Sequence, residues 1–586
     1  MALLLVSATV FASDADGRFR AIYQREWAWR LAQFPTLASS TGEHRYDGQL
    51  DDVGAPAWRQ RQAYWQNVLK QLDAIDPKLL SPEQQIDYAV YQAQIENLEA
   101  DDAQGQWQSP FNSDSAFWSD LAYLPSSQKL DNADDYRNYL KRLAQIPRYF
   151  DQQIDDMRIG LARGFSVPRA VLDGRDASIT SVAQLKGPSQ SGFYNPFEKM
   201  PAGIPAAEQA ALRAQAQQTI RAAVIPAYAK LLTFFRNDYV PHARTTLAAE
   251  ALPDGRAYYA QQIREYTTLD LSPDQIHQIG LEQVAKIHAQ MLDVMKQTGF
   301  KGDFTAFLQF LRSDPRFYAK TPQELLDRSA WVAKEVDGRL SKFFDHLPRE
   351  RFTIKPVPAD IAPFYTSGRG GPDVYLVNTW DLKSRPLYNM PALTLHESYP
   401  GHALQLELAA EQTDQPAFRS NGYISAYGEG WGLYSEYLGN EMGIYQTPYQ
   451  KFGFLTYQMW RACRLVIDTG IHHLGWPRAQ AIDYLHTNTA LSDHEIDTEV
   501  DRYISWPGQA DSYELGYLKI RELRAKAEKG LGAKFDIRHF HDTILSLGSV
   551  PLPVLEQRID RFIADGGPEP QWPCDCAKRP TTGQTQ

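Results

Sequence analysis

The chain has 586 residues, of which 43% are hydrophobic, 22% charged and 12% aromatic, the composition of a globular protein with a sizeable core. Its formal charge of -11 argues against a nucleic-acid partner, since neutralising phosphates needs a basic surface. No basic cluster marks a face for anionic lipid.

The chain opens with "MALLLVSATVFASDADG", an apolar run followed by small and polar residues. Val10 and Ala12 fit the small-residue positions of a cleavage site, so residues 1–12 read as a signal peptide that lacks its basic start. The run is too short to span a bilayer, so the expectation is an exported protein, periplasmic or secreted, with no integral membrane segment after cleavage. No cysteine adjoins the leader, so nothing there supports lipid attachment. Residues 13–565 read as one large helical domain, with an N-terminal lobe over about 13–205 and a catalytic lobe over about 206–565. The Pro/Gly/Thr-rich remainder, 566–586, reads as a disordered tail. It holds Cys574 and Cys576, while Cys463, in the apolar "MWRACRLVI", reads as a buried inert thiol.

Helical periodicity dominates between these ends. Phe150, Ile154, Met157 and Leu161 recur at helical spacing, as do Val284, Ile287, Met291 and Val294. "SPEQ" at Ser81 and "SPDQ" at Ser272 each place Ser at the N-cap, Pro at the first helical position and Gln at the third. Residues 187–205 form a long turn-rich connection. In "FYTSGRGGPDVYLVNTW", residues 364–380, the Gly-rich half reads as a flexible loop and "DVYLVNT" as a strand. The free edge of that strand could pair with an extended peptide, with Tyr375 and Asn378 as the substrate-binding residues. The fold class is mainly α.

The segment "TLHESYPGHALQL" carries the chemistry. His residues four apart share a helix face and can bind one metal. His396 and His402 are six apart, about 600° of turn, and diverge on an unbroken helix. Pro400 has no N–H and disfavours α geometry at Tyr399, so the helix must break or bulge there, and Gly401 suits the backbone angles of such a break. Looping out the extra residues would return His402 to the side of His396. Glu397 then lies beside the first histidine, where a general base belongs. Zinc in a catalytic site takes three protein ligands. The helix "SAYGEGWGLYSEYLG" offers two carboxylates on one face, Glu429 and Glu436.

Downstream, "SDHEIDTEVDRYISWPGQADSYELGYLKI" opens with a capping box of Ser492 and Glu495, breaks at Trp506-Pro507-Gly508 and resumes with Tyr513. Arg502, Tyr503, Gln509 and Tyr513 are the candidate donors to an oxyanion or a substrate. The acidic run "DHEIDTEVD" reads as a solvated helix face. His472, His473, His539 and His541 lack a ligand partner at useful spacing. No G-x-S-x-G elbow or nucleotide-binding glycine motif is present.

"HESYPGHALQ", "GEGWGLYSE", "EVDRYISWPGQADSYELG" and "FHDTILSLGSVPLPVLE" resemble the motifs of the bacterial DUF885 family, and the likeness runs from about residue 34 to Ile563. That family is similar to the mainly helical, cleft-containing zinc peptidases that include angiotensin-converting enzyme and the M32 carboxypeptidases. The resemblance implies a large helical fold with a deep cleft and a small strand element before the metal helix. It implies Zn2+ held by His396, His402 and Glu429, with Glu436 orienting a ligand and Glu397 as the base. It places Arg502, Tyr503 and Tyr513 against the substrate. The two-residue insertion between the histidines departs from the standard H-E-x-x-H. The expected function is zinc-dependent hydrolysis of short peptides, as an oligopeptidase or carboxypeptidase. The alternative is a non-catalytic peptide-binding protein with a degenerate metal site. Neither oligomeric state nor bond preference is written in the sequence.

Overall fold

A computed structural model describes residues 2–359, 361–570 and 572. Cys574, Cys576 and the tail from 573 onward lie outside the described residues. The chain is 69% helix and 3% strand, a mainly α fold. Contacts divide it into two compact units, residues 1–261 with 504–506 and residues 262–503 with 507–586. The helices between 206 and 261 therefore pack with the N-terminal part of the chain. Among the described residues no helix is long and apolar enough to cross a membrane.

The first unit is built around α1 (Ala2–Gln33), α2 (Ala55–Asp73), α3 (Pro82–Gln104) and α4 (Ile146–Arg163). Phe150, Ile154 and Met157 of α4 are buried, as their spacing predicts. Ser81 does sit at the N-cap of α3, but its hydroxyl makes no capping bond. The amide of Gln84 is drawn instead to Asp87, at 2.8 Å, so the reciprocal box does not close. Buried Glu26 is satisfied by a two-pronged bond from Arg30, at 2.8 and 2.9 Å, and by the Trp65 indole at 3.1 Å.

The second unit packs α5 (Pro273–Gln297) along α9 (Pro448–His472). Here the capping box does form, Ser272 with Gln275. Ile276, Val284, Ile287, Met291 and Val294 make the buried face of α5. Helix α9 is buried all round from Phe452 to His472, which makes it the axis of the unit. Cys463 on it is buried, and burial pushes its thiol up. Short α6 (Met390–Glu397) and α7 (His402–Ala410) precede α8 (Ser425–Glu441), while α10 (Asp493–Ser505) and α11 (Asp511–Leu531) follow α9.

Strands β1 (Thr353–Pro356), β2 (Gly368–Gly370) and β3 (Val374–Val377) form one sheet in the order β1-β3-β2. This corrects two expectations. The Gly-rich segment is not simply a loop, because its glycines form β2, antiparallel to β3. And β3 has no free edge, because β1 pairs with its other side in parallel. β1 lies about twenty residues upstream and carries no alternation that would announce it.

Helices α8 and α11 meet backbone to backbone at Gly430 and Gly516. A Cβ at Gly516 would lie 1.9 Å from the carbonyl oxygen of Ala426, so neither helix could keep its place. Gly516→Ala should cost about 2 kcal/mol or more. Gly187→Ala, with nothing within 4 Å of the new methyl, should stay within about 0.5 kcal/mol of the parent. Denaturant unfolding of the two variants checks the difference.

Candidate metal centre

The histidines come together because the helix breaks where Pro400 requires. α6 ends at Glu397 and α7 starts at His402, and Ser398 (ψ -138°) and Gly401 (ψ -132°) leave helical geometry between them. The Tyr399-Pro400 peptide is cis. The Trp431 indole donates to the Pro400 carbonyl at 2.8 Å, tying the break to α8. The His396 and His402 rings then stand 4.8 Å apart, nearly perpendicular.

Glu429, in the first turns of α8, completes the group. Its Oε2 is 3.5 Å from His396 Nε2 and 3.3 Å from His402 Nε2. One ligand atom from each of the three residues lies within 4.8 Å of the other two. A tetrahedral zinc with ligands at about 2.0–2.1 Å separates donor atoms by about 3.3 Å, so both His–Glu spacings fit a shared metal. Both histidines are buried and Glu429 is mostly so.

Glu436 lies two turns beyond Glu429 on the same face of α8, and the imidazole of His396 fits between them. Its Nδ1 faces Glu436 Oε1 at 2.9 Å while its Nε2 faces Glu429, so Glu436 fixes which nitrogen is presented to the group. Gly432 lies midway. A Cβ there would be 2.7 Å from the ring, so only glycine leaves the space. Arg461 Nη2 backs Glu436 at 3.5 Å. Burial pushes His396 down, but hydrogen bonds to Glu429 and Glu436 outweigh it and hold the imidazole at about 9. Burial pushes Glu429 up, and His402 and His396 overcome it to hold the carboxyl well below its usual range.

Glu397 is fixed from the sheet. Its Oε2 accepts the backbone N–H of Gly370 in β2 at 2.6 Å. A Cβ on Gly370 would sit 1.9 Å from the Glu397 carbonyl oxygen, so β2 must be glycine to come this close. The alternation set by Gly371 N–H to the Val374 carbonyl (2.8 Å) and Asn378 N–H to the Ser367 carbonyl (3.0 Å) turns Gly368 and Gly370 away from β3. The outer edge of β2, not β3, therefore faces the histidines. Tyr375 is fully buried, and the Asn378 amide donates to the carbonyls of Ala362 (2.9 Å), Tyr365 (2.9 Å) and Thr366 (3.1 Å). Both are scaffold beneath the edge rather than its surface.

The downstream residues separate into two kinds. Tyr503 is 1% exposed, and its hydroxyl takes bonds from Trp460 Nε1 at 2.8 Å and Arg464 Nε at 3.0 Å. These bonds lock it in the core. Arg502 is more open, donating to Gln509 Oε1 at 2.9 Å and the Tyr513 hydroxyl at 3.2 Å. Ser425 and Ser512 meet at 2.8 Å, which sets Tyr513 on α11 beside the start of α8. Glu499 corrects the reading of a solvated acidic face, since it is buried and bonded to Arg464 at 2.8 Å. The capping box at Ser492 is half made: its hydroxyl accepts Glu495 N–H at 3.3 Å, but the Glu495 carboxylate goes to Ser367 at 2.7 Å. His472 and His541 hydrogen-bond to Tyr503 and Tyr434, both at 2.8 Å, as structural histidines.

Sequence reasoning missed Tyr423, whose hydroxyl donates to Glu429 Oε1 at 3.2 Å, and Arg464. An arginine inside the apolar run "MWRACRLVI" was the available signal for a buried partner.

No curated protein matches the chain. It is similar to a solved structure described as "the putative lipoprotein from Colwellia psychrerythraea", with 26% identity and a TM-score of 0.86 over 94% of this chain and 99% of that one. A second, from Shewanella oneidensis and described as "a putative lipoprotein of unknown function", is 18% identical with a TM-score of 0.70 over 92% and 98%, a likeness of fold alone. The family model described as "Bacterial protein of unknown function (DUF885)" matches residues 35–559, a span that takes in the broken helix, α8 and the α10–α11 elbow, and the chain belongs to that family.

Proposed function

We propose that the chain is a zinc-dependent hydrolase of peptide bonds, an exported oligopeptidase or carboxypeptidase acting on short peptides. The observation that carries this reading is the convergence of His396, His402 and Glu429 at spacings suited to one metal, with Glu397 beside them. Zinc held there would supply Lewis-acid activation of a water or a carbonyl. With Oε2 held by Gly370, Glu397 keeps Oε1 to take a proton from the attacking water and return it to the leaving nitrogen. The outer edge of β2 offers backbone groups with which an extended substrate can pair. Tyr513 and Arg502 are the donors available to the developing oxyanion. Export rests on the apolar leader and on the lipoprotein description of the 26% identical relative.

The carboxypeptidase form is favoured by Arg502. Buried Arg464 is paired with Glu499 at 2.8 Å, and its guanidinium lies 4.1 Å from the Tyr513 ring. Arg502, 3.8 Å from the same carboxylate, is the more open cation and suits a substrate that ends in a carboxylate.

Glu397→Gln should abolish turnover of a mixed peptide library while leaving one zinc per chain; retained turnover overturns the base assignment, and zinc-loaded protein that binds but never cleaves favours the peptide-binding alternative. Amidation of the substrate's carboxy end should lower kcat/KM by about tenfold or more; equal cleavage of both forms selects the oligopeptidase. Zinc must displace the proton that His396 holds at about 9. Its apparent affinity should therefore weaken about tenfold for each pH unit below that value, a slope that competition with a chelator indicator measures.

A further inference from the structure

The two oxygens of Glu429 have different surroundings. Oε2 faces both histidines, at 3.5 and 3.3 Å, whereas Oε1 receives the Tyr423 hydroxyl at 3.2 Å. A carboxylate ligand can bind a metal through one oxygen or both, and a hydrogen bond on the second oxygen favours one. Tyr423 is set up for this. It stands just before α8 and is 52% exposed, so its ring is not held by burial in a core. It lies instead on the first turn of α8, where Gly428 makes room. A Cβ on Gly428 would come 2.3 Å from the Tyr423 hydroxyl oxygen and 2.5 Å from the ring. The glycine next to the carboxylate thus exists on the side where the phenol must sit. A phenol is protonated at neutral pH and donates, so Oε1 keeps the bond whenever Glu429 is ionised.

We infer that Tyr423 is a positioning residue that holds Glu429 to one-oxygen coordination, reserving a fourth position for water or substrate. This rests on the metal reading above. Without the hydroxyl, Oε1 would be free to turn in as a fifth ligand, crowding the position kept for water or substrate. The same loss follows if the phenol is intact but displaced. The device needs only Tyr423, Gly428 and Glu429 and involves no reacting group.

The test loads purified full-length protein, Tyr423→Phe and Gly428→Ala with Co2+ as the probe, each with metal content and thermal unfolding recorded. The wild-type protein should give the intense visible absorption of four-coordinate cobalt. Both variants should bind one ion with absorption lowered by about twofold or more, as five-coordinate cobalt absorbs more weakly. They should also bind zinc about tenfold less tightly. A spectrum unchanged in Tyr423→Phe overturns the inference even if affinity or unfolding temperature falls, since a merely structural tyrosine would move those and not the ligand number. Failure of the wild-type protein to bind cobalt or zinc overturns both the metal reading and the inference, and the metal content separates this outcome from the other.

Discussion

Everything in the candidate site depends on one interruption of one helix. The chain between His396 and His402 is two residues too long for a regular turn, and Pro400 removes the hydrogen bond that would have kept it regular. The break at 398–401 would be a liability in a buried segment, because it frees backbone groups from their helical partners. It is stabilised from outside: Trp431 takes the Pro400 carbonyl, and the Ser398 hydroxyl returns to the Thr394 carbonyl at 2.6 Å. The Tyr399 hydroxyl reaches the Glu350 carbonyl at 3.0 Å. With the break fixed, both imidazoles point to one place.

Helix α8 does most of the fixing, and its sequence is dense because each position has a task. Gly428 makes room for Tyr423, and Glu429 faces the histidines. Gly430 lets α11 approach, Trp431 holds the break, Gly432 admits the His396 ring and Glu436 orients it. Three glycines at alternate positions weaken the helix intrinsically, by about 1 kcal/mol each relative to alanine. Packing on α11 and against the imidazole offsets that weakness, so the helix is a consequence of its surroundings as much as of its propensity.

The charged groups of α9 form a second layer behind the site. Arg461 backs Glu436, and Arg464 joins Glu499, Tyr503 and Trp460. Charges this deep are tolerated only in pairs. The Arg464 pair locks α10 onto α9, and α10 ends at the Trp-Pro-Gly turn from which Gln509 and Tyr513 begin. Tyr503 belongs to this lock, which is why its hydroxyl is spent inside the core while its neighbour Arg502 stays partly open.

The sequence by itself determined the helical class, the caps at Ser272 and Ser492, the break at Pro400, the elbow at Trp506-Pro507-Gly508 and the grouping of Glu397 with His396 and His402, while it offered Glu429 and Glu436 alike as the partner carboxylate. These are local consequences of spacing, of proline chemistry and of the period of a helix, and local rules suffice for them. The tertiary structure alone decided which strand presents an edge to Glu397, because pairing of β3 with β1 depends on residues far away in the chain. It decided that Tyr503 is locked and Tyr423 is not, that Glu499 is buried within an acidic run, and that five glycines, Gly370, Gly428, Gly430, Gly432 and Gly516, are clearances rather than turns. Those outcomes turn on which side chains converge across elements, and no spacing along one segment contains that information.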